Sequence, residues 1–291
     1  NLPGVASLAG LMTFFCDNPT ISRLSNDKYY SRYFKKFELV SLTNFGTAFG
    51  MGLIVLTFMA RFGYFGPAVV GFVGAVFGAV VSTRLMQYLI RNKLEIQKEP
   101  AKDDQAPGIT FKSEGSTFER FLNALLDGGK SGVELGLQII PGVLIISTVI
   151  MIITFGPEDP SAGYQGLAYE GVPILPKIGS WLNWLFYGLF GFSNPELIAF
   201  PITSLGAVGA ALSLVKAFIS QGIITGNEIA VFTAMGMCWS GYLSTHTAML
   251  DTLNFRRLTS KALIAHTVGG IAAGTFAHYL YLLLSVWIQF E

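Results

Sequence analysis

The run FFCDNPTISRL, Phe14 to Leu24, puts a thiol, a carboxylate, an amide and a proline in succession at the end of the apolar stretch Leu2–Phe15. Asp17 can hold a cation or accept from a solute's donors, and Asn18 can both donate and accept. Within a bilayer a carboxylate is costly unless it meets a cation, a donor or another polar group. The competing reading is that Asp17 caps a helix beginning at Asn18 or Pro19, an Asp-x-Pro start. The two roles are compatible.

A second polar cluster is CWSGYLSTHTAMLD, Cys238 to Asp251. At about 100° per residue, Ser240, Ser244 and Thr247 share one helical face, and His246 lies one step round from Thr245. This is the best second wall for a polar site, with hydrogen bonding between packed helices as its rival. Thr43, Asn44 and Thr233 could donate to a ligand, although membrane threonines often bond their own backbone. Thr203 and Ser204, in PITSLGAVGAALSLV, are further candidates. Glu38 and Glu228 could hold a coupling ion with Asp17, or stabilise helix N-termini as carboxylates do. His266 and His278 read as packing or interfacial residues. Cys16, Asp17, Cys238 and His246 are residue types that bind soft or borderline metals, but no C-x-x-C or H-x-x-x-H spacing supports them. No metal site is therefore assigned. GGKS at Gly128–Ser131 lacks the first glycine of a phosphate loop, since position 124 is Ala. G-x-S-x-G and H-E-x-x-H are absent, and the chain is not read as an enzyme.

These residues have to be positioned by something. The chain is 291 residues long, with 52% hydrophobic and only 13% charged residues. Soluble domains carry about 25% charge, so lipid is the expected solvent. A net charge of +1 argues against a nucleic-acid partner. Two cysteines in apolar runs do not make a disulfide framework. Leu2–Phe15 lacks a basic n-region and an A-x-A-like site, so it is not read as a signal peptide. Five stretches are long enough to span a membrane: Leu39–Ala60, Gly66–Ile90, Val133–Phe155, Ile229–Leu250 and Ala262–Trp287. Leu2–Arg23 and Pro173–Gln221 are apolar but interrupted. Arg91–Arg120 reads as a linker, and Phe118–Lys130 as an amphipathic helix. Lys and Arg concentrate before the first span, between the second and third, and in the last loop, which puts those segments on the cytoplasmic side. Each interrupted stretch then leaves and returns to one face, as a re-entrant hairpin. The predicted fold is an all-α integral membrane protein of about five transmembrane helices and two such hairpins. Residues 1–90 form a first repeat, 91–130 a cytoplasmic linker with the amphipathic helix, and 131–291 a second repeat. Glycine pairs four apart (Gly46/Gly50, Gly74/Gly78, Gly132/Gly136, Gly270/Gly274) predict close helix packing.

The repeat has a register. FELVSLTNFGTAFG from Phe37 lies over NEIAVFTAMGMCWS from Asn227 at an offset of 190, matching Glu38 with Glu228, Thr43 with Thr233 and Gly46 with Gly236. Thr13 meets Thr203, and Asp17-Asn18-Pro19 lies over Ala207-Val208-Gly209. Chance likeness between apolar helices is the rival reading. Opposite charge-rule orientations favour an inverted repeat, a layout of secondary transporters.

CDNPTISRL stands where concentrative nucleoside transporters carry a T-E-A-P hairpin tip; Asp17 and Pro19 match, Cys16 and Asn18 depart. With the helix from Phe37, the segment DGGKSGVELGLQIIPGVLIISTVIMI and the tip PITSLGAVGAALSLV, the chain resembles the nucleoside-recognition, or Gate, domain. That domain is shared by those transporters and the ferrous-iron transporter B membrane region. The resemblance covers most of the chain. It implies alternating-access transport of a small polar solute, nucleoside-like, at a site between hairpin tips. Sodium or proton coupling, a homo-oligomer and a bacterial inner membrane are also implied. An N-E-F motif that would hold a ribose is absent: Leu212-Ser213-Leu214 stands there, while an alternative alignment places NPELIAF, with Glu196, at that position. Two other readings stay open: a non-transporting recognition or assembly protein on the same scaffold, and a divalent-metal permease.

Overall fold

The computed structural model describes residues 2–16, 18, 20–94, 115–154, 156, 157, 161–167 and 170–287. The fold is all-helical, 79% helix, with no strand among the described residues. A 3-10 turn, Gly4–Ala6, opens into α1 (Ser7–Phe15). Then come α2 (Thr20–Asn26), α3 (Lys28–Ser31), α4 (Lys36–Thr47), α5 (Gly52–Arg61) and α6 (Phe65–Leu94). α7 (Thr117–Thr154), α8 (Ile174–Trp181) and α9 (Asn183–Phe190) follow. A second 3-10 turn, Pro195–Ile198, leads into α10 (Ala199–Gly206), α11 (Val208–Ser220), α12 (Gly226–Trp239), α13 (Tyr242–Thr252) and α14 (Thr259–Ser285).

Three helical stretches are long and apolar enough to cross a membrane: Lys36–Arg61 taken across its break, Phe65–Asn92, and Arg256–Ser285. The predicted spans Leu39–Ala60, Gly66–Ile90 and Ala262–Trp287 fall on them. Two spans expected to be continuous are not. Residues 48–51 separate α4 from α5, and Ser240–Gly241 separates α12 from α13. The third predicted span lies on α7, which also takes in the predicted amphipathic stretch Phe118–Lys130 as one helix. Phe155 and linker residues 95–114 lie outside the described residues, as does the packing around Gly132 and Gly136.

The core is the triple packing of α6, α12 and α14. Small residues face inward: Gly71 abuts the Ala230 carbonyl, and a Cβ at Gly74 would lie 2.8 Å from both the Ala273 carbonyl oxygen and the Ala277 side chain. Gly270 is covered by the Trp239 indole and Gly274 by Met235. Bulky apolar side chains of α6 (Val69, Val73, Val76, Phe77, Val80) and of α14 (Ile264, Val268, Leu282, Leu283) point outward. Close approach through small residues, with large side chains on the periphery, is how helices associate when the solvent is as apolar as the side chains.

The segments before and after α7–α9 share an order of elements: a 3-10 turn, a short helix pair, a broken long helix and a long unbroken helix, with α3 an addition in the first and the 3-10 turn Arg256–Leu258 one in the second. The correspondence reaches single residues 190 apart. Thr13 and Thr203 each donate from Oγ1 to the carbonyl four residues back, Ala9 and Ala199. Met51 (φ +53) and Gly241 (φ +64) hold the left-handed residue that restarts the broken helix. Gly supplies that conformation without the steric cost borne by Met51. The loops after α5 and α13 slip the register by one, each with a left-handed residue, Gly63 and Asn254. From there the contacts exchange. A Cβ at Gly78 would lie 2.6 Å from Ala273 Cβ, and one at Gly269 would lie 2.5 Å from Ser82 Cβ. Gly78 and Ser82 correspond to Gly269 and Ala273 at an offset of 191, so each position meets its counterpart's neighbour.

A candidate site where two broken helices cross

Breaking a buried helix strands backbone groups. The carbonyls before the break and the N–H groups after it lose their partners within the helix. Each must be satisfied by protein where water is excluded. In this fold the two breaks touch. A Cβ on Gly50 would stand 2.9 Å from Ser240 Cβ, and Cys238 Sγ lies 3.9 Å from the Ala48 carbonyl oxygen. Asn18 sits between them, 1% exposed, and its Nδ2 donates to the Ser240 carbonyl at 2.6 Å. Asn18 Oδ1 would be 2.6 Å from a Cβ at position 50, and Asn18 Nδ2 3.5 Å from one at position 241. Glycine at both positions is what lets the amide reach the crossing.

A chain of buried polar groups runs from the crossing. Asn44 Nδ2 donates to Ser82 Oγ (3.0 Å) and to the Ala262 carbonyl (2.9 Å). Ser82 Oγ meets His266 Nδ1 at 3.0 Å, and His266 Nε2 meets the Cys238 carbonyl in a short contact. A carbonyl only accepts, so His266 carries its proton on Nε2. Nδ1 then accepts from the Ser82 hydroxyl. His246 lies against this chain, with ring centroids 4.5 Å from His266. Its Nδ1 donates to the Tyr242 carbonyl at 2.7 Å. At the near break in α4, the Thr13 hydroxyl, whose one proton is shared with the Ala9 carbonyl, also lies 2.9 Å from the Gly46 carbonyl oxygen.

The sequence-predicted site residues divide into groups. Asn18 and Ser240 are in direct contact, and Asn44 and His246 belong to the adjoining polar cluster. Thr43 bonds the Val40 carbonyl (2.8 Å) and reaches Asn44 Oδ1 at 3.4 Å. Thr233, at the equivalent position, is buried against Gly71 with no partner for Oγ1 among the described residues. Thr203 and Ser204 bond carbonyls of their own turn, Ala199 and Pro201. Asp17 and Pro19 lie outside the described residues, and so does the side chain of Ser244. The second tip falls at Ala207, between α10 and α11, whereas Asn194 caps the 3-10 turn by accepting from Glu196 N at 2.9 Å.

Glu38 and Glu228 stand apart from this cluster, each in the first turn of a helix roughly 15 Å along the axis from its break at 1.5 Å per residue. Glu228 Oε2 accepts from the N–H and hydroxyl of Thr225, and Thr225 Oγ1 accepts from Asn227 N (3.3 Å), a reciprocal capping box. Glu38 Oε2 accepts from Lys35 N (2.8 Å), the same arm at the same register. The return arm is missing there because Lys has no acceptor.

Ser82 and Thr13 escaped the sequence reading as site residues, and His266 was read as packing. Each is polar in an apolar run, but its purpose depends on a carbonyl freed elsewhere. Among the described residues no group of three or more His, Cys, Asp or Glu could hold a metal ion. Comparison with protein-family models, curated proteins and solved structures returned no match.

Proposed function

We propose that the chain is an integral membrane protein built as an inverted repeat, with hairpins α1–α2 and α10–α11 entering from opposite faces. In this reading it is a secondary transporter of a small polar solute, nucleoside-like by the resemblance noted above. The observation that carries the reading is the meeting of two broken helices at equivalent positions, with the hairpin-tip residue Asn18 between them. Discontinuous helices at a repeat interface put half-helix dipoles and unwound carbonyls where solutes and coupling ions bind. Asn18 then acts as a latch: leaving Ser240 frees a carbonyl and opens the crossing to one side. Basic segments face the cytoplasm, in a bacterial inner membrane.

A screen of nucleosides and other small polar solutes for a raised melting temperature tests the reading, since binding to the native state alone stabilises it. Uptake into proteoliposomes by wild type and by Asp17→Ala follows. A stabilising solute that is taken up, and not by the variant, supports transport. A screen with no stabilising solute, and no uptake, sinks it.

One observation favours a second reading. Asn44, Ser82, His266 and the Cys238 carbonyl satisfy one another, as they would in a polar core that holds a scaffold rigid. A non-transporting recognition or assembly protein would need no more, and retained partner binding without uptake of any solute would select it.

A further inference from the structure

His246 is fully buried, 0% exposed, and only half used. Nδ1 donates to the Tyr242 carbonyl, so in the neutral ring the lone pair is on Nε2, and Nε2 has no hydrogen-bond partner among the described residues. Buried polar atoms are ordinarily paired, and an exception calls for an explanation. Its neighbour His266 is the contrast, with both nitrogens engaged, by Cys238 and by Ser82. Placing a further proton on His266 Nδ1 requires the Ser82 hydroxyl to reverse, while Nε2 of His246 can take one with no rearrangement of that chain.

We infer that His246 Nε2 is a proton-binding site, the one that couples a proton to movement at the crossed breaks. This rests on the transport reading for its purpose, though not for its chemistry. The lone pair on Nε2 takes a proton from a hydronium ion: one O–H bond breaks as the N–H forms, and a water molecule leaves. A proton is the ligand that suits a fully buried atom, because a single water admitted when the crossing loosens can deliver it, where a solute would need the helices to part. His246 is also well placed to act: it lies one turn beyond Gly241, the left-handed residue of the break, and beside the chain that ends on the Cys238 carbonyl. Imidazolium at 246 adds charge 4.5 Å from the His266 ring, so the pair holds one added proton and not two.

The titratable groups around His246 are few. α14 brings His266 and, in its first turn, Lys261, whose Nζ donates to the Leu89 carbonyl. α12 brings Cys238. α4 brings neutral Thr43 and Asn44 at this depth, with Lys36 and Glu38 at its far end, and α10 carries no charged residue. α2 carries Arg23, α13 itself carries Tyr242 and the exposed Asp251, and the 3-10 turn packed on its end carries Arg256, 3.9 Å from Asp251, and Arg257.

The chain has three histidines, so selective ¹⁵N-histidine labelling gives three resolvable rings. In the full chain in lipid bilayers, His246 is expected as the Nδ1–H tautomer at pH 8, gaining a proton at Nε2 as the pH falls to 4. His266 is expected to remain Nε2–H through the range where His246 changes. His278→Gln and His246→Gln assign the rings; if the second does not fold, the first and the tautomer pattern suffice. A His246 ring unchanged from pH 8 to pH 4, or a His266 that takes the proton first, overturns the proposal. A titrating His246 in a protein that takes up no solute leaves the proton site standing and removes the transport reading.

Discussion

Asn18 and Ser240, 222 residues apart, are joined by a 2.6 Å bond from the Asn18 amide to the Ser240 backbone carbonyl. The donor stands at the turn between α1 and α2, and the acceptor at the break between α12 and α13. The bond ties a short helix pair in the first part of the chain to a broken helix in the last. It also closes a carbonyl that the helix itself cannot close, because Ser240 (φ −57, ψ 118) leaves the helical conformation and Gly241 is left-handed.

Asn18→Ala leaves the Ser240 carbonyl buried without its donor. The expected loss is about 1–3 kcal/mol of stability, the usual cost of orphaning a buried polar group. Asn18→Asp should lose more, since a carboxylate cannot donate and its oxygens face another acceptor. Denaturation in detergent, followed by the near-ultraviolet signal, measures both. An alanine variant as stable as wild type would show that the carbonyl finds another donor and that Asn18 holds nothing together.

The sequence carried the class and the register of this fold better than its continuity. Charge at 13% and long apolar runs announced helices suited to lipid, and the 190-residue offset predicted that Thr13 answers Thr203 and Glu38 answers Glu228. The breaks at 48–51 and 240–241 were hidden because neither contains proline, and Met51 is an unusual residue for a left-handed turn. Gly241 offered a hint, but glycine is common in membrane helices for packing alone. The partners of the freed carbonyls, His266 for Cys238 and Asn18 for Ser240, come from segments distant in sequence, and no local pattern ties them to the groups they satisfy.

The two capping acids give a graded test of that register. Glu228 is buried and its box has both arms, while Glu38 is half-buried with one. Glu228→Ala should cost about 1–2 kcal/mol and Glu38→Ala about 0.5–1 kcal/mol, within the range for lost N-caps. Lys35→Ser should stabilise by a few tenths of a kcal/mol, because it supplies the missing acceptor. Melting temperatures of the three variants in one detergent decide the order. Glu38→Ala costing more than Glu228→Ala would mean the first carboxylate has work beyond its cap.

Cysteine chemistry reports on the crossing without a substitution. Cys16 is exposed at the end of α1, and Cys238 is buried between α6 and the first break, with its Sγ toward the Ala48 and Ala75 carbonyls (3.9 and 3.8 Å). N-ethylmaleimide on the folded protein should modify Cys16 at least tenfold faster than Cys238, with mass spectrometry locating the label. Equal rates would mean that the crossing opens on the timescale of the reaction.

The glycines of α6 separate packing from helix propensity. At Gly78 a new Cβ would meet the Gly269 carbonyl oxygen at 2.6 Å and Ala273 Cβ at the same distance. Backbone and a stub of side chain cannot swing aside, so α6 and α14 must part along their length. Overpacking of this kind costs about 1–3 kcal/mol, against a gain of up to about 1 kcal/mol from replacing Gly by Ala in a helix. Gly78→Ala should therefore lower the melting temperature. Gly128, on the exposed start of α7, has nothing within 4 Å of its Cβ position. There the propensity term stands alone, and Gly128→Ala should leave the melting temperature unchanged or raise it. If both variants shift it alike, close contact between α6 and α14 is not what holds the core.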